Sequence, residues 1–154
     1  DDTIGILATG KINGLPPVEN RVICSIDKDL DTIPGWHFNW RKAENGVYDI
    51  DPRRAYYNLL FQTLTGDATD NFPGCPKVGP KTAMQILLPI ANLTNIDDLM
   101  SFGWELVVQA YQRRGLTEGD ALTQARCARI LQAEDWDFEK NEVRLWTPPK
   151  GDRS

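Results

Sequence analysis

Apolar residues recur with either a helical or a strand period in the first fifty residues of the chain. Helical spacing predicts an amphipathic helix over Asp1–Thr9. The apolar face of this helix comprises Ile4, Leu7 and Ala8. The mostly apolar run Arg21–Ile26 is typical of a buried parallel strand. Trp36–Trp40 alternates as a half-buried strand does, and Val47–Ile50 is a candidate edge strand, so this part predicts an α/β arrangement.

From residue 51 onward the apolar spacing is mostly helical. Asp51-Pro52 provides an N-cap and a first-turn proline, which predicts a helix to about Leu64 that ends at Gly66. Further helices are predicted over Thr82–Leu88, over Asn95–Gln112, and from the capping-box sequence at Thr117 to about Ala133. Gly103 weakens the middle of the Asn95–Gln112 helix and could divide it.

The same pattern predicts which side chains of these elements are buried. On the first of these helices they are Tyr56, Leu59, Leu60, Thr63 and Leu64, and on the last they are Leu122, Ala125, Ile130 and Leu131. An extended tail over Asp135–Pro149 is expected to pack back through Phe138, Val143, Leu145 and Trp146. Lys150–Ser154 is expected to be disordered. Arg126 and Arg129 share a helix face, which suits either phosphate or a solvated surface.

Residues 65–83 form a stretch that is dense in Gly and Pro and runs into a helix. Asp67 and Asp70 lie three residues apart, a spacing that puts two carboxylates on one face of a helical turn as a metal-ligand pair. At the following helix N-terminus, free N–H groups and the helix dipole favour a phosphate. The candidate phosphate-binding residues are Gly74, Lys77, Val78, Gly79, Lys81 and Thr82. The alternative is that these Gly and Pro residues only form turns and bind no ligand.

Composition limits the classes of function. The chain has 154 residues, 41% of them hydrophobic and 25% charged, which is ordinary for a soluble globular domain. No apolar run approaches the roughly 20 residues that span a bilayer, and the start lacks a signal-peptide pattern. Three widely spaced cysteines, Cys24, Cys75 and Cys127, favour reduced thiols in a cytoplasmic protein that is not secreted.

Aspartates occur in three close pairs that suggest one site. The pairs are Asp1 and Asp2, Asp27 and Asp29, and Asp67 and Asp70. Carboxylates that are brought together repel each other unless cations offset the charge, and oxygen ligands suit two divalent ions, Mg²⁺ or Mn²⁺. Such an ion pair can activate water and stabilise the leaving oxygen of a phosphodiester. The net charge is −5, but without these six charges the remainder carries +1, so acidity does not exclude DNA as a partner.

Each acidic pair also has a simpler interpretation. Asp1 and Asp2 can stabilise the start of a helix, and Asp27 can cap the turn that follows it. His37, the only histidine, is expected on a strand surface and not as a metal ligand, because it lacks nearby Cys or His partners. The metal hypothesis therefore depends on the co-occurrence of the three pairs with the glycine-rich loop.

A family resemblance follows from these residues. The segment GDATDNFPGCPKVGPKTA, residues 66–83, resembles the signature of the 5′-nuclease superfamily, which includes phage 5′-3′ exonucleases, flap endonucleases and the 5′-nuclease domain of DNA polymerase I. Asp27-Lys28-Asp29-Leu30 is similar to its second acidic motif, and Asp1-Asp2 to the end of its Glu-Ala-Asp-Asp motif. Residues 128–131 and 145–148 are similar to the phage exonuclease branch in particular.

The resemblance implies a partial PIN-like α/β nuclease core with a parallel sheet over residues 1–64. A helix–three-turn–helix with a mostly helical C-terminal region would follow over residues 65–149, and the disordered tail over 150–154. Asp1 would serve the first metal, Asp27, Asp29, Asp67 and Asp70 the second, with Asp2 nearby. The loop would hold a DNA strand, with K⁺ on its carbonyls. The family's first strand, its Glu and its basic arch have no counterpart here, so a C-terminal fragment is expected.

Two functional hypotheses follow. The first is a metal-dependent 5′-3′ exonuclease or flap endonuclease that acts, as a monomer and without any membrane, on DNA with a 5′ end or flap. The rival is a non-catalytic DNA-binding module that uses the glycine-rich loop alone. A scaffold domain without activity or binding is a third, weaker interpretation. Six paired aspartates favour the enzyme, because a pure binding module has no use for them.

Overall fold

The chain divides into two units with separate internal contacts. The structure, a computed structural model, describes residues 1–149. The first unit comprises Asp1–Ala55 and Ile130–Leu145, and the second comprises Tyr56–Arg129 with the described residues from Trp146 onward. The predicted disordered tail, residues 150–154, lies outside the described residues. The predicted functional boundary after residue 64 stays a prediction.

The first unit is built on a mixed three-stranded sheet. Its strands are β1 (Val22–Cys24), β2 (Gly35–Phe38) and β3 (Val47–Ile50), in that spatial order. β1 runs parallel to β2 with Ile23 opposite His37, and β3 runs antiparallel to β2. The predicted strands are therefore present, with β3 on the edge. The sheet is mixed, where a parallel sheet was expected, because a short turn joins β2 to β3.

Helix α1 (Asp2–Thr9) is present as predicted, and Ala8 of its predicted apolar face packs against the buried cluster of the first unit, whereas the other two residues do not become buried. Ile4 and Leu7 are about 40% exposed, and the buried residue is Gly5. A Cβ at Gly5 would lie only 2.1 Å from the Leu131 carbonyl oxygen, so glycine permits this close approach of helix and backbone. The 3₁₀ turns of this unit are Val18–Asn20, Lys28–Thr32, Trp40–Asn45 and Ala133–Asp135.

His37 is buried, and the prediction that it lies on a strand surface is wrong. Its Nε2 lies 2.9 Å from the Ile33 carbonyl oxygen, and its ring stacks on Tyr48. The side chain is 2% exposed. In β2 the polar histidine faces inward, where a backbone acceptor satisfies it, and its bulky neighbour Trp36 is 43% exposed.

The second unit is helical. Its helices are α2 (Pro52–Thr65), which begins in the first unit, α3 (Pro80–Leu87), α4 (Ile96–Gln112) and α5 (Glu118–Ala128). All five predicted inner positions of α2 are buried. Gly103 does not divide α4; a Cβ there would lie 2.5 Å from a methyl carbon of Leu60, so glycine lets α2 and α4 approach closely. Within residues 1–149, no helix combines the length and apolar composition of a bilayer-spanning segment.

The C-terminal part differs from the prediction in two ways. α5 begins with the predicted capping box of Thr117 and Asp120 but ends at Ala128, and Ile130 packs with core residues of the first unit. The tail forms a hairpin of β4 (Trp136–Asp137) and β5 (Glu142–Val143). The side chains of Phe138, Val143 and Leu145 are exposed, against prediction. Trp146 packs as predicted, edge-on to Trp104 at 5.6 Å between ring centroids.

Candidate nucleic-acid interface

The glycine-rich loop between α2 and α3 is closed by backbone contacts. Asp67 and Phe72 exchange two backbone hydrogen bonds of 2.9 and 3.1 Å. Gly66 and Gly74 both have φ of +68°, and their backbones touch: a Cβ on Gly66 would lie 2.4 Å from the Pro73 carbonyl carbon. A Cβ on Gly74 would lie 2.3 Å from the Gly66 nitrogen. Both positions therefore require glycine.

Two side chains from the C-terminal half of the second unit brace this loop. Gln124 on α5 accepts a 2.8 Å hydrogen bond from the Gly74 N–H. Arg114, after α4, donates through Nε to the Pro76 carbonyl oxygen at 2.6 Å and through a second nitrogen to that of Ala110. Both braces come from residues 38 or more positions away in the sequence, so the loop shape depends on tertiary structure.

The N-terminus of α3 is the open part of the loop. Gly79 caps it in an extended conformation, and within residues 1–149 no side chain accepts its first N–H groups. Lys77, at φ +59°, and Lys81 are both exposed, and Thr82 is half-buried. In the described part of the chain, a Cβ on Gly79 would meet no heavy atom within 4 Å. Backbone donors, two cations and open space together suit a phosphate.

Two of the six predicted DNA-binding residues are committed to the protein interior. The Gly74 N–H is bonded to Gln124, and Val78 is only 5% exposed, with its N–H donated to the Cys75 carbonyl oxygen. Nothing in the local sequence distinguishes these two residues from the other four. The structure leaves Lys77, Gly79, Lys81 and Thr82 accessible to a ligand.

The loop aspartates have different local roles. Asp67 Oδ1 accepts the N–H groups of Thr69 at 2.7 Å and Asp70 at 3.4 Å, and so stabilises the turn. Asp70 is exposed. The predicted common helical face does not form, because α2 ends at Thr65 and residues 67–72 form a turn.

In the first unit, the candidate aspartates also take part in local structure. Asp27 Oδ1 accepts the Asp29 N–H at 2.9 Å, which is the N-cap that the simpler interpretation predicts. Asp2 Oδ1 accepts the Leu131 N–H at 2.9 Å. Asp1 is exposed at the N-cap position of α1 but makes no side-chain capping bond there.

The fit of these carboxylates to a divalent metal can be tested on their arrangement. Their chemistry is suitable, because all the candidate ligands offer oxygen. However, among residues 1–149 no three His, Cys, Asp or Glu side chains are grouped so as to hold a metal ion.

Gln124 and Arg114 were not identified from the sequence as residues of the site. Nothing local marks them; a half-buried polar side chain on a helix is the one available signal, and it is weak. Arg126, a candidate for phosphate, instead donates to the Trp146 carbonyl oxygen at 3.0 Å, and the Arg129 guanidinium lies 6.0 Å from the Trp146 ring centre. Tyr111 donates a 2.6 Å bond to the Thr63 carbonyl oxygen, and burial raises the pKa of this phenol.

Comparison with known proteins finds relatives among nucleases. The chain is 27% identical over 169 residues to an exodeoxyribonuclease of Enterobacteria phage T3, an alignment that covers 96% of this chain and 55% of the relative. It is 30% identical over 127 residues to the flap endonuclease Xni of Shewanella woodyi, covering 77% of this chain and 47% of the relative. A 5′-3′ exonuclease of Buchnera aphidicola is 34% identical over 85 residues, which cover 51% of this chain and 30% of the relative.

The chain therefore spans about half the length of the phage relatives that it matches. No family model and no solved structure matches it.

Proposed function

We propose that this chain, a member of the 5′-nuclease superfamily, forms the DNA-holding portion of a 5′-3′ exonuclease or flap endonuclease that hydrolyses DNA phosphodiesters. Its substrate would be DNA with a 5′ end or a flap, and the protein would act as a monomer. Relatives named exonuclease and flap endonuclease support the class of reaction. Alignment to about half of the phage relatives supports a role as one portion of such an enzyme.

The observation that carries this proposal is the open N-terminus of α3. Lys77 and Lys81 supply charge, and the uncapped N–H groups that follow Gly79 supply directional donors. The contacts are to phosphate and not to bases, so binding depends on the position of the backbone and on salt, and carries little sequence preference. This is what a nuclease that acts on any sequence requires. The loop suits the helix–three-turn–helix that the motif predicts.

We further propose that hydrolysis requires Mg²⁺ or Mn²⁺ and depends on Asp1, Asp2, Asp27, Asp29, Asp67 and Asp70. The support is chemical: these are oxygen donors, and Asp27 and Asp29 lie in and just before the turn that follows β1, at the end of a strand where ligand sites of α/β proteins are common. Within this proposal, a K⁺ ion on the loop carbonyls would help to hold the DNA strand. The PIN-like description of the first unit belongs to the same proposal.

A second candidate function is a DNA-binding module without catalysis. It is favoured by one observation, that no group of three metal-type ligands is formed among residues 1–149. The two candidates make the same prediction for DNA binding by the loop and opposite predictions for cleavage, so one experiment separates them.

The experiment compares two variants with the unaltered protein on duplex DNA that carries a labelled 5′ end. Lys77→Ala/Lys81→Ala is expected to weaken binding at least tenfold and to reduce the slope of log affinity against log salt by about 2, because two phosphate contacts are lost. Asp27→Asn retains an N-cap acceptor and so preserves stability, and it should leave binding unchanged while Mg²⁺-dependent cleavage falls by about 100-fold or more.

The matched control is Lys11→Ala/Lys140→Ala, which removes two exposed charges from the first unit. Normal DNA affinity in the Lys77→Ala/Lys81→Ala variant would contradict the proposed role of the loop. Tight binding without any Mg²⁺- or Mn²⁺-dependent cleavage by the unaltered protein would establish the binding module in place of the enzyme.

A further inference from the structure

The first unit contains an open cleft of about 530 Å³, and of the aspartates proposed for hydrolysis only Asp27 lines it. It lies beside the Lys28–Thr32 turn, the Trp40–Asn45 turn, β3 and the first turn of α2. A cleft of this volume is in the range that holds a small ligand or one nucleotide. Its charged lining consists of Lys28, Arg41, Lys42, Arg54, Asp27 and Asp31.

The charge of the cleft favours an anion. Four cations against two carboxylates leave an excess of two positive charges. Asp31 accepts a 3.1 Å hydrogen bond from the Tyr48 hydroxyl and lies 3.7 Å from His37 Nδ1, so its negative charge is partly engaged by groups of the protein. Asp27 Oδ1 is likewise engaged by the Asp29 N–H.

Arg41 and Lys42 are the cations most available to a ligand. Both are exposed, and neither side chain has a hydrogen-bond or ion-pair partner among the residues that the structure describes. Their backbone is fixed: Asn39 Oδ1 accepts the Arg41 N–H at 3.0 Å, and Gly46 closes the turn at φ +68°. Two unpaired cations on an ordered turn are pre-organised for phosphate, because little backbone entropy is lost on binding.

The residues beside the cleft favour a nucleic-acid strand as the source of this phosphate. Trp40 directly precedes Arg41 and is 54% exposed. An exposed aromatic ring next to cations is a combination by which proteins bind unpaired bases and their phosphates. Asn45 and Tyr48 add polar groups to the lining.

We propose that this cleft binds the terminal phosphate of a 5′-phosphorylated single strand. A terminal phosphomonoester carries about −1.5 to −2 charges at pH 7, whereas an internal phosphodiester carries one. The excess of two positive charges in the cleft matches the monoester. The choice of nucleic acid as the source of the phosphate rests on the proposed function. The binding itself involves the first unit and is separate from the α3 loop.

The test measures the affinity of the chain for three ligands: a 5′-phosphorylated tetrathymidylate, the same oligonucleotide with a 5′-hydroxyl, and inorganic phosphate. The phosphorylated oligonucleotide is expected to bind about tenfold more tightly than the hydroxyl form. Arg41→Glu/Lys42→Glu should abolish this preference. Lys11→Glu/Lys140→Glu, which makes an equal change of charge at exposed sites of the same unit, should retain it. Circular dichroism confirms that each variant is folded.

Every other outcome overturns the proposal. Equal affinity for the two oligonucleotides would mean that internal phosphates are recognised. Inorganic phosphate binding as tightly as the phosphorylated strand would assign the cleft to a free anion. A preference that survives Arg41→Glu/Lys42→Glu would place the site elsewhere. Lys77→Ala/Lys81→Ala should leave the preference unchanged, so failure of the loop proposal and failure of this one can be told apart.

Discussion

The two units of the chain differ in how their candidate functional segments are supported. In the described residues, the buried apolar cluster of the second unit has 18 members, and that of the first has four. Three loop residues, Phe72, Cys75 and Val78, belong to the larger cluster. The turn that carries Asp27 and Asp29 contributes Leu30 to the smaller one. The loop therefore belongs to the larger core and the acidic turn to the smaller one.

This difference in core support indicates which part of the candidate site is fixed by the fold. Moving the loop would disrupt a core and its side-chain braces, so its geometry is expected to be the same with and without DNA. In the acidic turn, the exposed Asp27 accepts one local N-cap hydrogen bond, and Asp29 is half-buried. Their side chains can adjust when a cation binds, at little cost to the rest of the unit.

The largest expected loss of stability follows from a substitution in the glycine pair that closes the loop. Gly66→Ala would place a Cβ 2.4 Å from backbone at φ +68°, so we expect a loss of about 3 kcal/mol or more in the free energy of unfolding. Gly79→Ala, where φ is −90° and the space is open, should cost less than about 1 kcal/mol. Urea denaturation followed by tryptophan fluorescence measures both values.

The same two variants separate fold from binding. Gly79→Ala puts a methyl group where the backbone would approach a phosphate, so its DNA affinity should fall although its stability is nearly normal. If Gly66→Ala were as stable as Gly79→Ala, the close contact of Gly66 with Gly74 would be wrong, and with it the view of the loop as a rigid element.

Local sequence signals predicted much of this fold. Asp51-Pro52 marked the start of α2, the Thr117 capping box marked the start of α5, and the inner face of α2 was correct at every predicted position. These features depend on interactions within four residues, which the sequence states directly. The glycine- and proline-rich motif at residues 66–83 likewise located the loop between α2 and α3.

The errors concern features that distant residues decide. His37 is buried with its ring stacked on Tyr48, and this contact exists only after β2 and β3 pair. α5 stops before Ile130 because that side chain packs with Ile23 and Leu30 of the first unit. Gln124 braces a loop 50 residues away. No rule of local spacing predicts such contacts between distant residues. Any assembly of the six aspartates would likewise depend on distant residues.

A smaller effect is expected at this distant brace. Gln124→Met removes the acceptor of the Gly74 N–H and leaves a half-buried donor unpaired, which should cost about 1–2 kcal/mol. Gln124→Glu keeps an oxygen at the same place and should stay near the original stability. Hydrogen exchange of the Gly74 amide should accelerate in the Met variant and not in the Glu variant. Equal exchange rates in the two variants would show that the loop does not depend on α5.

The smallest expected effect is a pH dependence of the stability that the N-cap of α5 provides. Thr117 donates to Asp120 Oδ2 through its backbone N–H at 2.7 Å and its hydroxyl at 2.8 Å, and these bonds, the backbone one foremost, lower the pKa of Asp120. Because the folded-state pKa lies below the unfolded value of about 3.9, the stabilisation is complete above that value and is lost as the pH falls through the folded-state pKa.

The stability of the original protein relative to Asp120→Asn should therefore be constant from pH 7 to about 5 and decline on further acidification. Asp137 gives the corresponding test in the first unit, because the Arg144 guanidinium 2.7 Å away, together with backbone N–H donors, lowers its pKa. The stability of the original protein relative to Asp137→Asn should decline in the same way on acidification. The size of this difference should also fall with added salt, because it includes an ion pair. If the stability difference between the original protein and Asp120→Asn did not change with pH, the cap would be using a neutral acceptor. Only the ionised carboxylate of Asp120 gains stability from these donors as the pH rises.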